Sequence, residues 1–261
     1  MDFGSILDDS FAYAKEGVWE RGSRWLVLIG CIIIFPLILG YLVRIYRGER
    51  PAPEPGEWAT LFADGLKLLV VHIVYWAPVF LLILVAFIPL ILTLVSAGVF
   101  SESFSAMSDT QTERWFDSHP ELLSQLLVTG GFMVLLILIA IILAIIITLF
   151  SFLGVVRFAR TRSISEAFNF SALLAHIRRI GWMNYIVALI AISIIGYIFG
   201  MILNFFSLVP IIGIFIQLIL MGIFYVPFII FSARFSSCIY DMGTEESPES
   251  SIAPGIPPVN R

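Results

Sequence analysis

The chain has 261 residues, of which 59% are hydrophobic and only 13% are charged, and its mean hydropathy is +0.99. Soluble domains contain about 25% charged residues, so this composition excludes an ordinary soluble protein, and it equally excludes a disordered chain. The formal net charge is −4, and no cluster of Lys and Arg interleaved with aromatic residues indicates nucleic-acid binding.

Four stretches of the sequence contain no Asp, Glu, Lys or Arg: 25–43, 68–101, 122–156 and 180–233. An α-helix needs about 20 residues to cross the core of a bilayer. The sequence therefore predicts an all-α protein, a polytopic transmembrane helical bundle with about five spans and interfacial amphipathic helices. Residues 1–240 are expected to form a single integral membrane domain.

The N-terminal residues 2–19 are predicted to form an amphipathic interfacial helix, because their apolar side chains recur on one helical face. The adjacent carboxylates Asp8 and Asp9 fall outside that face and are interpreted as solvated side chains. The apolar run 25–46 follows and is predicted to be the first span, with a kink at Pro36.

A second amphipathic stretch, 57–69, is predicted to be an interfacial helix that leads into a second span at 76–98. Asp64 and Gly65 lie within it and both lower helix propensity. We interpret this pair as a structural bend. The alternatives are a tolerated surface pair or a contact of Asp64 with one of two preceding arginines, Arg44 or Arg47.

The third span, 130–156, has the strongest apolar signal in the chain. The segment after it, 163–179, is predicted to be another interfacial helix. Ser163 and Glu166 have the spacing of a capping box, which is typical of a helix N-terminus.

The last charge-free stretch is long enough for two spans, which are predicted at 182–205 and 211–233 with a turn at 207–210. The remaining residues, 241–261, are rich in Ser, Glu, Pro and Gly. This composition predicts a disordered tail.

Lysine and arginine are spread unevenly over the connecting segments, with four at 44–67, one at 101–121, five at 157–179 and none at 206–210. By the positive-inside rule, 44–67, 157–179 and the C-terminus are expected on the cytoplasmic side of the cell membrane. Five full spans then place the N-terminus outside, although it carries Lys15, Arg21 and Arg24. A first segment that dips into the membrane and returns would remove this conflict.

Three aromatic pairs share one spacing, since a phenylalanine lies fourteen residues before a tryptophan in Phe11/Trp25, Phe62/Trp76 and Phe168/Trp182. The spacing indicates an internal repeat of interfacial helix, aromatic anchor and span. The three tryptophans are therefore predicted interfacial anchors. Coincidence in a chain with 23 Phe residues is the alternative.

The sequence resembles the archaea-enriched membrane family known as domain of unknown function 4013, over about residues 1–240. The resemblance rests on Gly40-Tyr41-Leu42, Arg44, Arg47, the proline-rich turn Pro51–Pro55, Trp58, the run Leu61-Phe62-Ala63-Asp64-Gly65, Tyr75 and Pro78, and on residues 166–189. It implies an archaeal multi-pass membrane protein. Because the family has no established activity, the resemblance implies no catalytic residues.

No catalytic, cofactor-binding or metal-binding site is predicted. The histidines His72, His119 and His176 share no metal-ligand spacing, and no Cys-x-x-Cys pair, phosphate-binding glycine loop or nucleophile elbow occurs. Cys31 and Cys238 lie in or beside apolar segments and are interpreted as buried residues.

Five arginines are candidates for contact with anionic lipid headgroups, namely Arg157, Arg160, Arg162, Arg178 and Arg179. The alternative is that they only set the orientation of the chain in the membrane.

The leading functional hypothesis is a non-enzymatic role in membrane organisation, lipid interaction or as a partner subunit. Membrane lipids are the expected partners, and a homo- or hetero-oligomer is left open. The alternative is a transporter or channel for a small or lipidic substrate. Six polar side chains in the predicted spans could line its path or could bond between helices, namely Thr148, Ser151, Asn184, Tyr197, Asn204 and Gln217.

Overall fold

The structure, a computed structural model, describes residues 3–19, 21–206 and 212–244. In these residues the chain is all-α, as predicted. The helices are α1 (Phe3–Val18), α2 (Gly22–Ile33), α3 (Phe35–Tyr46), α4 (Trp58–Ser96), α5 (Glu102–Ser105), α6 (Asp109–Asp117), α7 (Pro120–Thr161), α8 (Ile164–Ala167), α9 (Phe170–Ile180), α10 (Trp182–Phe205) and α11 (Ile212–Asp241). The predicted turn at 207–210 and nearly all of the predicted tail lie outside the described residues.

The chain forms two compact units. The first, called the terminal unit here, comprises residues 1–71 and 150–261, and the second comprises residues 72–149. In the second unit the side chain of Trp115 stacks on His119 with ring centroids 4.4 Å apart, and it meets Phe104 edge to face at 5.0 Å. These rings connect α5 and α6 between the long helices.

Four helices in the described part of the chain are long and apolar enough to cross a membrane: α4, α7, α10 and residues 215–241 of α11. Between 11% and 18% of their most apolar windows is buried within the protein. An apolar helix that leaves most of its surface exposed is typical of a membrane span rather than of a soluble core. The four helices therefore confirm a polytopic helical bundle.

The structure has two short helices where the sequence predicts one kinked span at 25–46. α2 and α3 have twelve residues each, so each is about 18 Å long, and neither alone crosses a core of about 30 Å. The break falls at Ile34, where φ is −100° and ψ is 77°. Pro36 explains it, because its ring lacks an N–H and clashes with the carbonyl four residues earlier.

The outer ends of α2 and α3 return to the same segment of chain. Arg24, near the start of α2, donates from Nη1 to the carbonyl oxygen of Ala52 at 3.0 Å. Arg44, near the end of α3, donates from Nη1 to the carbonyl oxygen of Glu54 at 3.3 Å. Leu28 of α2 and Tyr41 of α3 belong to the same buried cluster. α2 and α3 therefore form a helical hairpin.

The predicted interfacial helix at 57–69 and the predicted span at 76–98 form one continuous helix, α4. α3 lies against its first turns with the two backbones in direct contact. A Cβ on Gly65 would overlap the carbonyl oxygen of Pro36 and come within 2.8 Å of the Gly40 nitrogen. A Cβ on Gly40 would likewise overlap the Leu61 carbonyl oxygen. Paired small residues allow such close approach of helices.

The predicted interfacial helix at 163–179 is divided into α8 and α9. Asn169 caps α9 by accepting a hydrogen bond from the Ala172 N–H at 3.2 Å. The predicted capping box is wrong, because the Ser163 side chain caps nothing and Glu166 binds Arg157 instead. α10 has the predicted bounds.

We expect Gly65→Ala to lower the free energy of unfolding by about 3 kcal/mol, because the added methyl group must displace backbone rather than a flexible side chain. Thermal unfolding of the purified protein in detergent measures this loss. Gly130→Ala is the matched control, since a Cβ there meets nothing within 4 Å. Equal stability of the two variants would contradict the α3–α4 contact.

Candidate functional site

Most of the chain's positive charge lies in the terminal unit, whose described residues contain thirteen of the fifteen Lys and Arg. Of the other two, Arg114 belongs to the second unit and Arg261 lies outside the described residues. Nine of these cations belong to α1, segment 47–57, residues 157–180 and residues 234–243, which contact one another in the structure. We call this region the arginine-rich end.

Asp9 connects the first and last helices at the arginine-rich end. Arg234 of α11, which is only 5% exposed, donates from Nε to Asp9 Oδ2 at 2.8 Å. Arg50 donates to both carboxylate oxygens at 2.6 and 2.7 Å, and the Cys238 thiol approaches Oδ2 at 3.4 Å. The interpretation of Asp9 as a solvated side chain is therefore wrong, whereas its neighbour Asp8 is exposed.

Arg160 connects the end of α7 to two other segments. Its Nη2 donates to both oxygens of Asp241 at 2.7 and 2.9 Å and to Ser237 at 2.9 Å. Its Nε donates to the carbonyl oxygen of Tyr46 at 2.7 Å. Arg157 is paired with Glu166, so two of the five predicted headgroup arginines form ion pairs within the chain.

His176 of α9 contacts Tyr240 at the end of α11. Its ring stacks on Tyr240 with centroids 4.1 Å apart, and Nε2 donates to the Tyr240 carbonyl oxygen at 2.8 Å. Burial lowers the pKa of His176 below its ordinary value, and this exceeds the opposing effect of the backbone hydrogen bond. The neutral imidazole is a packing group here.

Three of the predicted headgroup arginines remain accessible. Arg162 and Arg178 are exposed, and neither forms a hydrogen bond or an ion pair within the described residues. Arg179 is exposed and donates once, to the carbonyl oxygen of Gly243 at 3.4 Å. The structure thus divides the predicted cluster into two structural arginines and three that are open to a ligand.

A cavity of ≈ 600 Å³ opens beside α4 in the terminal unit. Asp64 lies in its wall, where it accepts from Arg47 at 2.6 Å and from Lys67 at 3.2 Å. The contact of Asp64 with Arg47, one of the alternatives at this position, is therefore present. The interpretation of Asp64 and Gly65 as a structural bend is not borne out, because α4 continues as a helix through both residues. We call this cavity the arginine cavity. It is lined by Arg44, Arg47, Glu49, Glu57, Thr60, Ala63, Asp64, Lys67, Phe158 and Arg162.

The predicted tryptophan anchors occupy three different settings. Trp182 is the first residue of α10 and is 42% exposed. Trp25 packs against the buried cluster that contains Leu28 and Tyr41, and its indole N–H is buried without a hydrogen-bond partner among the described residues. Trp76 lies inside α4, whereas the exposed Trp58 begins that helix. The internal repeat stays a prediction.

Several polar residues of the predicted spans form hydrogen bonds within the chain. Asn204 accepts from Gln217 of the neighbouring α11 at 3.4 Å. Thr148 and Asn184 bind carbonyl oxygens of the preceding helical turns, at 2.8 and 3.1 Å. Within the part of the chain that the structure describes, no three His, Cys, Asp or Glu side chains are grouped to hold a metal ion.

A family model described as "Protein of unknown function (DUF4013)" matches residues 25–208. The match includes both glycines of the α3–α4 contact and every residue that lines the arginine cavity. Asp9 and Arg234 lie outside it. No curated protein and no solved structure matches the chain.

We expect Asp9→Asn to lower the free energy of unfolding by about 2–3 kcal/mol, because it leaves the buried Arg234 guanidinium without a charged partner. Thermal unfolding in detergent measures the effect. Asp8→Asn removes the same charge from the exposed neighbour and should change little. If both variants lose equal stability, net charge rather than the Asp9 contact is responsible.

Proposed function

The chain belongs to the DUF4013 family of proteins of unknown function, and we propose that it is a non-enzymatic membrane protein that interacts with lipids through its arginine-rich end. The observation that carries this proposal is the concentration of cations there. Three arginines of segment 157–179 are exposed and form no ion pair within the described residues, namely Arg162, Arg178 and Arg179. A cation near an anionic membrane surface contributes about 1 kcal/mol of attraction.

We also propose that the N-terminal helix, segments 44–57 and 157–179 and the end of α11 share the cytoplasmic side. The contact of Asp9 with Arg234 supports this, because α1 and the end of α11 must lie on one side of the membrane. Four candidate spans and a hairpin that returns are compatible with that placement. The cations of the N-terminus then obey the positive-inside rule.

Accessibility of single cysteines to a membrane-impermeant reagent tests this topology, in a background where Cys31→Ala and Cys238→Ser remove the native thiols. We expect Lys15→Cys and Ser165→Cys to be labelled from the same side and Ser108→Cys from the opposite side. Labelling of positions 15 and 108 from one side would instead favour five full spans.

Replacement of an exposed arginine tests the lipid interaction. We expect Arg178→Gln to bind phosphatidylglycerol about fivefold more weakly, since one cation is worth about 1 kcal/mol. Native mass spectrometry of the purified protein with phosphatidylglycerol or phosphatidylcholine measures the affinities. Arg114→Gln, which removes an exposed arginine of the second unit, is the matched control. No preference of the wild-type protein for the anionic lipid would overturn the proposed function.

A further inference from the structure

The arginine cavity has two positive charges in excess of its ion pairs. Arg44 is paired with Glu57 at 3.1 Å, while Arg47 and Lys67 share the single carboxylate of Asp64. One of those two cations is therefore unbalanced. Arg162 adds a second charge, because it has no hydrogen bond or ion pair within the described residues.

The exposed carboxylate of Glu49, which also lines the cavity, offsets one of these charges. The four cations and three carboxylates of the lining leave a net charge of +1. A phosphodiester carries one negative charge at neutral pH, whereas a phosphate monoester carries about 1.5 to 2. The charge of the cavity therefore matches a phosphodiester better than a monoester.

The backbone of the cavity wall carries a second, independent sign of a functional site. Glu57 has a φ of 53° and Arg162 a φ of 57°, and they are the non-glycine residues with positive φ among those described. Both line the arginine cavity. Such backbone strain in residues with side chains clusters at ligand sites, because a Gly would occupy the same conformation at lower cost.

The position of the cavity suits the headgroup of a lipid rather than its acyl chains. Its wall combines segment 44–57, the first turns of α4 and the last turn of α7. Both of these helices are candidate spans, so the cavity lies where a span emerges from its apolar part. Phe158 and Ala63 contribute its apolar lining beside the charged groups.

We propose that the arginine cavity is a binding site for one phosphodiester group, with Arg162 as the direct ligand and Lys67 as the second cation. This deepens the proposed lipid interaction and rests on it, since it names the chemical group that the arginine-rich end recognises. A guanidinium binds two phosphate oxygens at once, whereas an ammonium acts as a point charge, so Arg162 orients the group.

The backbone conformation of Arg162 permits a test in which loss of binding is not loss of folding. Arg162→Gly removes the guanidinium and also removes the cost of a side chain at positive φ. We expect the ligand-free melting temperature of this variant to equal or exceed that of the wild-type protein. Its affinity for phosphatidylglycerol should fall at least tenfold. Arg178→Gln, an exposed arginine outside the cavity, should lose only about fivefold.

Three probes separate the sources of the group: phosphatidylglycerol, diacylglycerol and the soluble phosphodiester glycerophosphoglycerol, each titrated against the full chain in neutral detergent with thermal shift as readout. We expect phosphatidylglycerol to stabilise the wild-type protein and Arg178→Gln but not Arg162→Gly, and diacylglycerol to stabilise none of the three.

Binding of phosphatidylglycerol that survives in Arg162→Gly but weakens in Arg178→Gln would contradict the cavity site and leave the proposed lipid function standing. Binding of the soluble probe alone, abolished by Arg162→Gly, supports the cavity and overturns the lipid function. If neither phosphatidylglycerol nor the soluble probe binds, the cavity site and the lipid function are both contradicted.

Discussion

The direct contact between the backbones of α3 and α4 is the constraint on which the rest of the terminal unit depends. Gly40 and Gly65 permit it, because any Cβ at either position would overlap a carbonyl oxygen of the other helix. The contact fixes α3 beside the first turns of α4, which places Arg47 within 2.6 Å of Asp64. It therefore sets both the hairpin and one wall of the arginine cavity.

The arginine-rich end is held together by charge pairs that join distant parts of the sequence. Asp9 binds a cation of α11, and Arg160 of α7 binds both the end of α3 and the end of α11. Asp9 and Arg160 thus bind partners within the chain, whereas Arg162 and Arg178 have none within the described residues and are open to other contacts. The same segment thus supplies structural arginines and accessible ones, and sequence position alone does not distinguish them.

The parts of the fold that depend on composition could be predicted from the sequence, and the parts that depend on distant contacts could not. α10 has its predicted bounds, because a glycine precedes it and its apolar run is uninterrupted. The hairpin was open only as an alternative, since Pro36 is compatible with both a kink and a break. The pairing of Asp64 with Arg47 could be considered from the sequence, because only seventeen residues separate them. The ion pair of Asp9 could not be predicted, because its partner Arg234 lies 225 residues away.

The separation of Asp9 from Arg234 also orders events in biosynthesis. A ribosome adds about 5–20 residues per second, so the 225 residues between them take on the order of ten seconds or more to appear. During that interval the first helix lacks its main docking surface, and only the completion of the last helix supplies it. The arginine-rich end therefore cannot be completed before α11 has been synthesised, and a chain that stops before α11 lacks the main packing partner of its first helix.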